Sequence, residues 1–338
     1  MPNTIRDNAH AVLLPAFPDT KLGDGVKQFL ANGGCSILIG ETREEYVARA
    51  MTLERRHAEK AETIIALTEQ ASSLSGNIIV AVDQEISGIC RLHDLVPPFP
   101  LREEIEGMGN EQFGDICSDI AMAAKELGVD CFLGPILDVV TGDNPWLSGR
   151  TWSAEPLAIA EKSSAYIRAI QSNGIAATAK HFPGYSVIEL DPAVESEARN
   201  MESPQSFKTT LMPFVDAIKS GVAIVMTGPA IVEAFDPARA ASISPSVIGV
   251  LRGELGFRGV VMSDGLDAKA TLRGQPITQV AVEALKAGSD LLLIADIDDQ
   301  IDLIVSAIVA AVESGDLTEN RLHDAATKVR SLAAQYSH

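Results

Sequence analysis

Two apolar runs stop abruptly at chemistry-bearing side chains. Gly174-Ile175-Ala176-Ala177-Thr178-Ala179 runs into Lys180 and His181, and Gly259-Val260-Val261-Met262 delivers Ser263 and Asp264. A cation, an imidazole and a carboxylate at the ends of buried strands are a set suited to nucleophilic and acid–base chemistry, and parallel barrels carry their active sites where the strands end. The first polar residues after the other apolar runs are Asp83 and Glu85, Asp138, Thr227, Asp267 and Asp296. Carboxylates dominate. An Asp after a strand also serves as a helix N-cap, and that use competes with chemistry for Asp138, Asp267 and Asp296. Asp83, Lys180 and Asp264 abut their strands directly, which favours a chemical role.

Two carboxylates flanking a sugar ring are the minimum for glycoside hydrolysis. A metal site is a rival use of the same acids, but Lys180 would sit among the ligands and no His-x-His or His-Glu pattern occurs. Ser-His-Asp chemistry lacks its Gly-x-Ser-x-Gly elbow. No metal and no cofactor are expected.

The elements that position these groups recur along the whole chain. Apolar runs at Ala11–Phe17, Ser36–Ile39, Ile78–Val82, Cys131–Ile136, Ile175–Ala179, Ala223–Met226, Val260–Met262 and Leu291–Ile294 read as strands. Their continuous rather than alternating apolar character suits a parallel sheet covered on both faces. Amphipathic stretches lie between them, among them Glu44–Ala71, Asn110–Leu127, Pro156–Ser172, Ser206–Ser220, Thr278–Ala287 and Arg321–Tyr336. Eight strand–helix repeats predict an α/β fold, a closed (β/α)8 TIM barrel, as one domain over residues 1–338. An open doubly wound sheet is disfavoured, because the glycines of Asp19–Gly25 lack dinucleotide-binding spacing. Tyr185 to Ser203 reads as a long loop.

A formal charge of −19 and a pI near 4.7 argue against a nucleic-acid partner. Cys35, Cys90, Cys117 and Cys131 show no metal or disulfide spacing and read as thiols in a reducing compartment. The N-terminal residues form no secretion signal, and no apolar run reaches the ~20 residues of a membrane helix. A cytoplasmic protein with no membrane partner is expected.

The chain resembles glycoside hydrolase family 3, in its single-domain β-N-acetylglucosaminidase branch. The resemblance rests on Val82-Asp83-Gln84-Glu85 with Arg91, Gly149-Arg150-Thr151-Trp152-Ser153-Ala154-Glu155-Pro156, Lys180-His181-Phe182-Pro183-Gly184, Val225-Met226-Thr227, and the run from Leu251 through Gly259 into Met262-Ser263-Asp264. It implies a retaining hydrolase of terminal β-linked sugars, N-acetylglucosaminides first among them, with Asp264 as the nucleophile that forms a covalent glycosyl-enzyme. It further implies that Asp83, Arg91, Arg150, Lys180 and His181 hold a small carbohydrate substrate. A cation near Asp264 would keep that carboxylate ionised.

The departures cluster near the site. The branch carries an Asp-Ser-His triplet after Phe-Pro-Gly, its histidine being the general acid/base; Asp191, Pro192 and Ala193 stand there instead. The family's Phe-Pro-Gly-His is Phe-Pro-Gly-Tyr185, an arginine position after Asp-Gln-Glu is Gly88, a histidine after Met-Thr-Ala gives way to Gly228 and Pro229, and the second Asp of Ser-Asp-Asp-Leu is Gly265. A loop carboxylate, Glu189 or Glu195, with Glu197 as a third, could substitute as the acid, against the reading of each as a solvated loop charge. The alternatives are a catalytically impaired sugar-binding homologue and a glycoside phosphorylase, since phosphate attacks without a base.

Overall fold

The computed structural model describes residues 3–295 and 300–337. The expected Asp296 strand end lies outside the described residues. Among the described residues eleven strands are formed: β1 (Leu13–Phe17), β2 (Ser36–Ile39), β3 (Ile79–Val82), β4 (Cys131–Phe132), β5 (Ala176–Phe182), β6 (Arg199–Asn200), β7 (Ile224–Thr227), β8 (Ile231–Val232), β9 (Asp236–Ala240), β10 (Val260–Ser263) and β11 (Leu292–Ile294). Eight of them make a parallel sheet in the order β10-β7-β5-β4-β3-β2-β1-β11. A parallel Met262–Leu291 bridge joins its two ends, with the Ser263 amide donating to Leu291 O at 2.9 Å. The sheet therefore curls into the expected (β/α)8 barrel, with its strand residues buried throughout β2, β3, β5, β7, β10 and β11 because helices cover the outer face.

Local chemistry explains where elements start and stop. The helix Pro156–Ser172 begins with proline at its first position, where a missing N–H costs nothing. The helix Ile277–Ala287 ends at Gly288, whose φ of 116° suits a residue without a Cβ. The stretch Glu44–Ala71 is three helices, Arg43–Ala48, Leu53–Ala58 and Ala61–Ser75, rather than one. Arg49 turns left-handed after the first, and Thr52 caps the second by accepting the Arg55 amide. The fourth barrel strand stops at Phe132, shorter than its apolar run, just before Pro135, which has no N–H for a sheet.

Two features were not legible in the apolar pattern. Lys180 and His181 lie inside β5, not after it, and both are buried. A small sheet β6-β8-β9 stands apart from the barrel and ties residues 199–200, within the long loop, to residues 231–240. That loop is thus anchored to the connection after β7. Among the described residues, no helix is long and apolar enough to cross a membrane.

Candidate active site

Asp264 follows directly on β10, the seventh barrel strand. Its amide donates to Thr227 O at 2.9 Å on the neighbouring strand, and its Oδ1 accepts the Gly265 amide at 2.7 Å. The side chain is 22% exposed, and that exposure opens onto a cavity also lined by Glu41, Tyr46, Asp83, Trp146, Ala193, Pro229 and Asp267. Burial pushes the Asp264 carboxyl up to about 6, against the Gly265 N–H and the more distant Lys180 and Arg150 charges that favour ionisation. The cations expected to hold it ionised are present, yet desolvation outweighs them.

His181 sits behind Asp264. Its Nε2 lies 3.9 Å from Asp264 Oδ2, and its Nδ1 is 2.8 Å from Asp138 Oδ2. Asp138 also accepts the amides of His181 at 3.0 Å and Tyr185 at 2.8 Å. With both carboxylate oxygens already acting as acceptors, the ring's Nδ1 is assigned as the donor, which leaves the Nε2 lone pair facing Asp264. Burial, then the Arg150 and Lys180 charges, hold His181 well below the usual histidine range, so the ring is neutral. Asp138 itself is raised to about 7 by burial, opposed by those two backbone donors. Asp138 is therefore the partner that orients His181, and not a helix cap.

Lys180 lies between two carboxylates, 2.7 Å from Asp83 Oδ1 and 2.8 Å from Glu85 Oε1. Arg150 Nη2 reaches the same Glu85 oxygen at 2.5 Å. Burial would raise Glu85, but Arg150 and Lys180 overcome it and hold this carboxyl down at about 2. Glu85 is fully enclosed, whereas Asp83 remains partly exposed at the cavity wall. A Cβ at Gly88 would fall 2.0 Å from Glu85 Oε2, so the lack of a side chain at 88 is what gives Glu85 its place beside Arg150. Among the described residues, no three or more His, Cys, Asp or Glu side chains are grouped to hold a metal ion.

Residues 20–332 match the family described as glycosyl hydrolase family 3 N terminal domain. The chain belongs to this family. A beta-hexosaminidase of Nitrosomonas eutropha is 31% identical over 261 residues, covering 75% of this chain and 75% of that protein. A beta-hexosaminidase of Nitrosospira multiformis is 27% identical over 274 residues, 79% of this chain and 78% of that one. Among solved structures, a family 3 beta-N-acetylglucosaminidase from Paenibacillus superposes with a TM-score of 0.88 at 24% identity, over 99% of this chain and 63% of its own. Beta-N-acetylhexosaminidase from Beutenbergia cavernae gives 0.85 at 17% identity over 98% and 99%. These structural likenesses share the barrel fold.

Against the family 3 pattern, the structure brings Asp83, Lys180, His181, Arg150 and Asp264 into one cluster at the barrel mouth. Arg91 is held outside that cluster. It is fully buried, clamped on Glu59 by two hydrogen bonds of 2.7 and 2.9 Å. Its remaining Nε donates to Gly40 O at 2.7 Å, so it fixes the backbone of a residue in the cavity wall. Glu189 and Glu195 are both exposed and neither lines the cavity; Glu189 borders a separate surface groove with Glu197, Arg199 and Met201. Glu197 pairs with Arg199 at 3.5 Å and Arg273 at 3.7 Å. From that loop it is Ala193 that reaches the cavity wall, with no proton to give.

Tyr185 and Gly228, two departures from the family pattern, are one structural exchange. A Cβ at Gly228 would lie 2.2 Å from Tyr185 Cε2, and the Tyr185 hydroxyl donates to Ala230 O at 3.1 Å. The phenol fills the space above Gly228. Burial pushes this phenol well above the usual tyrosine range, which removes it from proton transfer.

Among the cavity residues that sequence patterns missed, the carboxylate is Glu41. It follows β2 and precedes Thr42-Arg43-Glu44-Glu45, a run that reads as the solvated start of a helix. No local signal distinguishes Glu41 from Glu44; only the closed barrel shows that Glu41 is half-buried in the cavity wall and Glu44 exposed.

Proposed function

We propose that the chain is a retaining β-N-acetylhexosaminidase acting on terminal β-linked sugars. The observation that carries this reading is the Asp264 carboxylate, open to the cavity with neutral His181 3.9 Å behind it. The names of the related beta-hexosaminidases support the substrate class. In this reading Asp264, ionised above about pH 6, attacks the anomeric carbon and forms a glycosyl ester. Asp83, locked to Lys180, presents its free lone pairs to sugar hydroxyls. His181 Nε2 accepts a hydroxyl hydrogen near Asp264, and Arg150 acts through Glu85 by keeping Lys180 in place. The chain works as one catalytic domain on a small carbohydrate.

The test is an aryl β-N-acetylglucosaminide with an activated leaving group, assayed with and without phosphate. Such a substrate needs little acid assistance and so reports the nucleophile. Asp264→Asn should abolish turnover, and acid-quenched parent enzyme should carry one sugar mass on the peptide containing Asp264. Undiminished turnover by Asp264→Asn sinks the covalent mechanism. A glycosyl phosphate product would redirect the reading to phosphorolysis.

A further inference from the structure

The cavity holds one buried carboxyl oxygen that the described residues leave unsatisfied. Glu41 Oε2 is enclosed by protein and has no hydrogen-bond partner among them. A buried polar atom without a partner costs about 1–3 kcal/mol, so the fold holds Glu41 in place against a penalty that a bound ligand would remove. The backbone on both sides is pinned. The Gly40 amide donates to Phe17 O at 2.8 Å, Gly40 O accepts from Arg91 Nε, and Thr42 opens the next helix through a reciprocal capping pair with Glu45. The side chain is thus presented to the cavity by a rigid support.

Position around the barrel matters as much. Asp264 follows the seventh strand and Glu41 the second, and in the ring β10-β11-β1-β2 two strands stand between them. The two carboxyls therefore enter the mouth from different sides and face a common space, the arrangement a nucleophile and an acid need to bracket an anomeric centre. Among the described residues, no other carboxyl in the cavity wall has an oxygen both buried and unpartnered: Asp83 is bound by Lys180, Asp264 by the Gly265 amide, and Asp267 accepts the Ala295 amide at 3.2 Å.

We propose that Glu41 is the general acid/base of this enzyme, taking the place of the loop histidine that Ala193 lacks. The proposal rests on the glycosidase reading above. In the first step Asp264 bonds to the anomeric carbon as the bond to the leaving oxygen breaks, and the Glu41 proton passes to that oxygen, releasing an alcohol and leaving Glu41 ionised. In the second, Glu41 takes a proton from water as the water oxygen attacks the anomeric carbon. The bond to Asp264 breaks, and both carboxyls return to their starting states. The charges around Glu41 suit the donor role. Burial, with the Asp83 and Glu85 carboxylates, raises it to about 8 against the opposing Lys180 and Arg91 cations, so it carries its proton at neutral pH.

The experiment compares Glu41→Gln, Glu189→Gln and Glu195→Gln with the parent on β-N-acetylglucosaminides whose leaving groups range from activated aryl to alkyl. The expected result for Glu41→Gln is a loss of about 10²–10⁴-fold on alkyl glycosides, a nearly unchanged glycosylation burst on activated aryl ones, and recovery of turnover by azide with a β-glycosyl azide product. The alkaline limb of the parent's kcat/KM profile should also disappear. Circular dichroism and urea unfolding of the isosteric variant confirm that the fold persists. A fall of equal size across all leaving groups, or no fall, overturns the proposal, as does the leaving-group signature in either loop variant. A parent inert even to activated glycosides, or an active Asp264→Asn, instead overturns the glycosidase reading and the acid role with it.

Discussion

The His181 ring joins two carboxyls of different duty, with Nδ1 2.8 Å from Asp138 Oδ2 and Nε2 3.9 Å from Asp264 Oδ2. Asp138 is wholly enclosed and satisfied by backbone donors, whereas Asp264 opens to the cavity. The ring is also packed on Trp146, with centroids 4.4 Å apart, so it has little freedom to compensate if one partner changes.

Removing Asp138 should therefore damage both stability and rate. Asp138→Ala leaves two buried amides and the imidazole N–H unpaired, at about 1–3 kcal/mol each before relaxation. The more telling variant is Asp138→Asn, which keeps the volume but cannot accept with both terminal atoms. We predict a fall in kcat/KM of about 10²-fold from misplaced His181, with a smaller change in urea midpoint than for Asp138→Ala. Wild-type kinetics in Asp138→Asn would show that the ring's orientation does not depend on this pair.

Asp264 should trade stability for function. Its native value of about 6 lies above the ordinary ~3.9 of an aspartate. Between those values the native state binds more protons than the unfolded one. The contribution of this group is then full below about pH 4 and is lost as pH rises through about 6. Asp264→Asn should accordingly be more stable than the parent at pH 7.5, by of order 1–3 kcal/mol, and equal to it near pH 3.5. Urea unfolding at both values checks this, and a variant less stable at pH 7.5 contradicts it. In the parent, kcat/KM should rise with pH through about 6 as the nucleophile ionises.

Why the barrel was legible and parts of its mouth were not follows from the same physics. A parallel strand covered on both faces is a continuous apolar run, so Ile78–Val82 and Val260–Met262 announce themselves, and Asp83 and Asp264 are read off as the residues where the runs end. Pairings across the barrel leave no such trace. Arg91 sits in a sugar-binding motif, but its partner Glu59 lies 32 residues earlier on a separate segment. Asp138 stays open between a helix cap and a chemical role in the sequence, because its partners, His181 on the next strand and Tyr185 just beyond it, are brought in only by the barrel. Glu41 carries no mark in the sequence, because a place in the cavity wall is a property of the closed ring.

For Arg91 the structure predicts a stability phenotype. Its guanidinium has no exposure and shares Glu59 with Arg55 and His93. Breaking such a buried pair costs about 3–5 kcal/mol. Arg91→Lys, which keeps the charge but loses the two-pronged contact, should lower the thermal midpoint clearly, while KM for an aryl glycoside at a permissive temperature stays within ~threefold. A large rise in KM without loss of stability would restore Arg91 to direct sugar binding.

The last prediction concerns Tyr185 and Gly228, whose contact makes two substitutions interdependent. Gly228→Ala places a methyl 2.2 Å from the Tyr185 ring, where neither the Ala230-bound hydroxyl nor the enclosed ring can retreat. Overpacking of this kind costs about 1–3 kcal/mol. In a Tyr185→His background the ring is smaller and the hydroxyl is gone, so the added methyl should cost less, and the two changes should show a coupling energy of about 0.5–3 kcal/mol in a double-mutant cycle. Urea unfolding of the four proteins measures it. Additive effects would mean that the phenol and the glycine were exchanged independently, and that the space over Gly228 is set by something other than the Tyr185 ring.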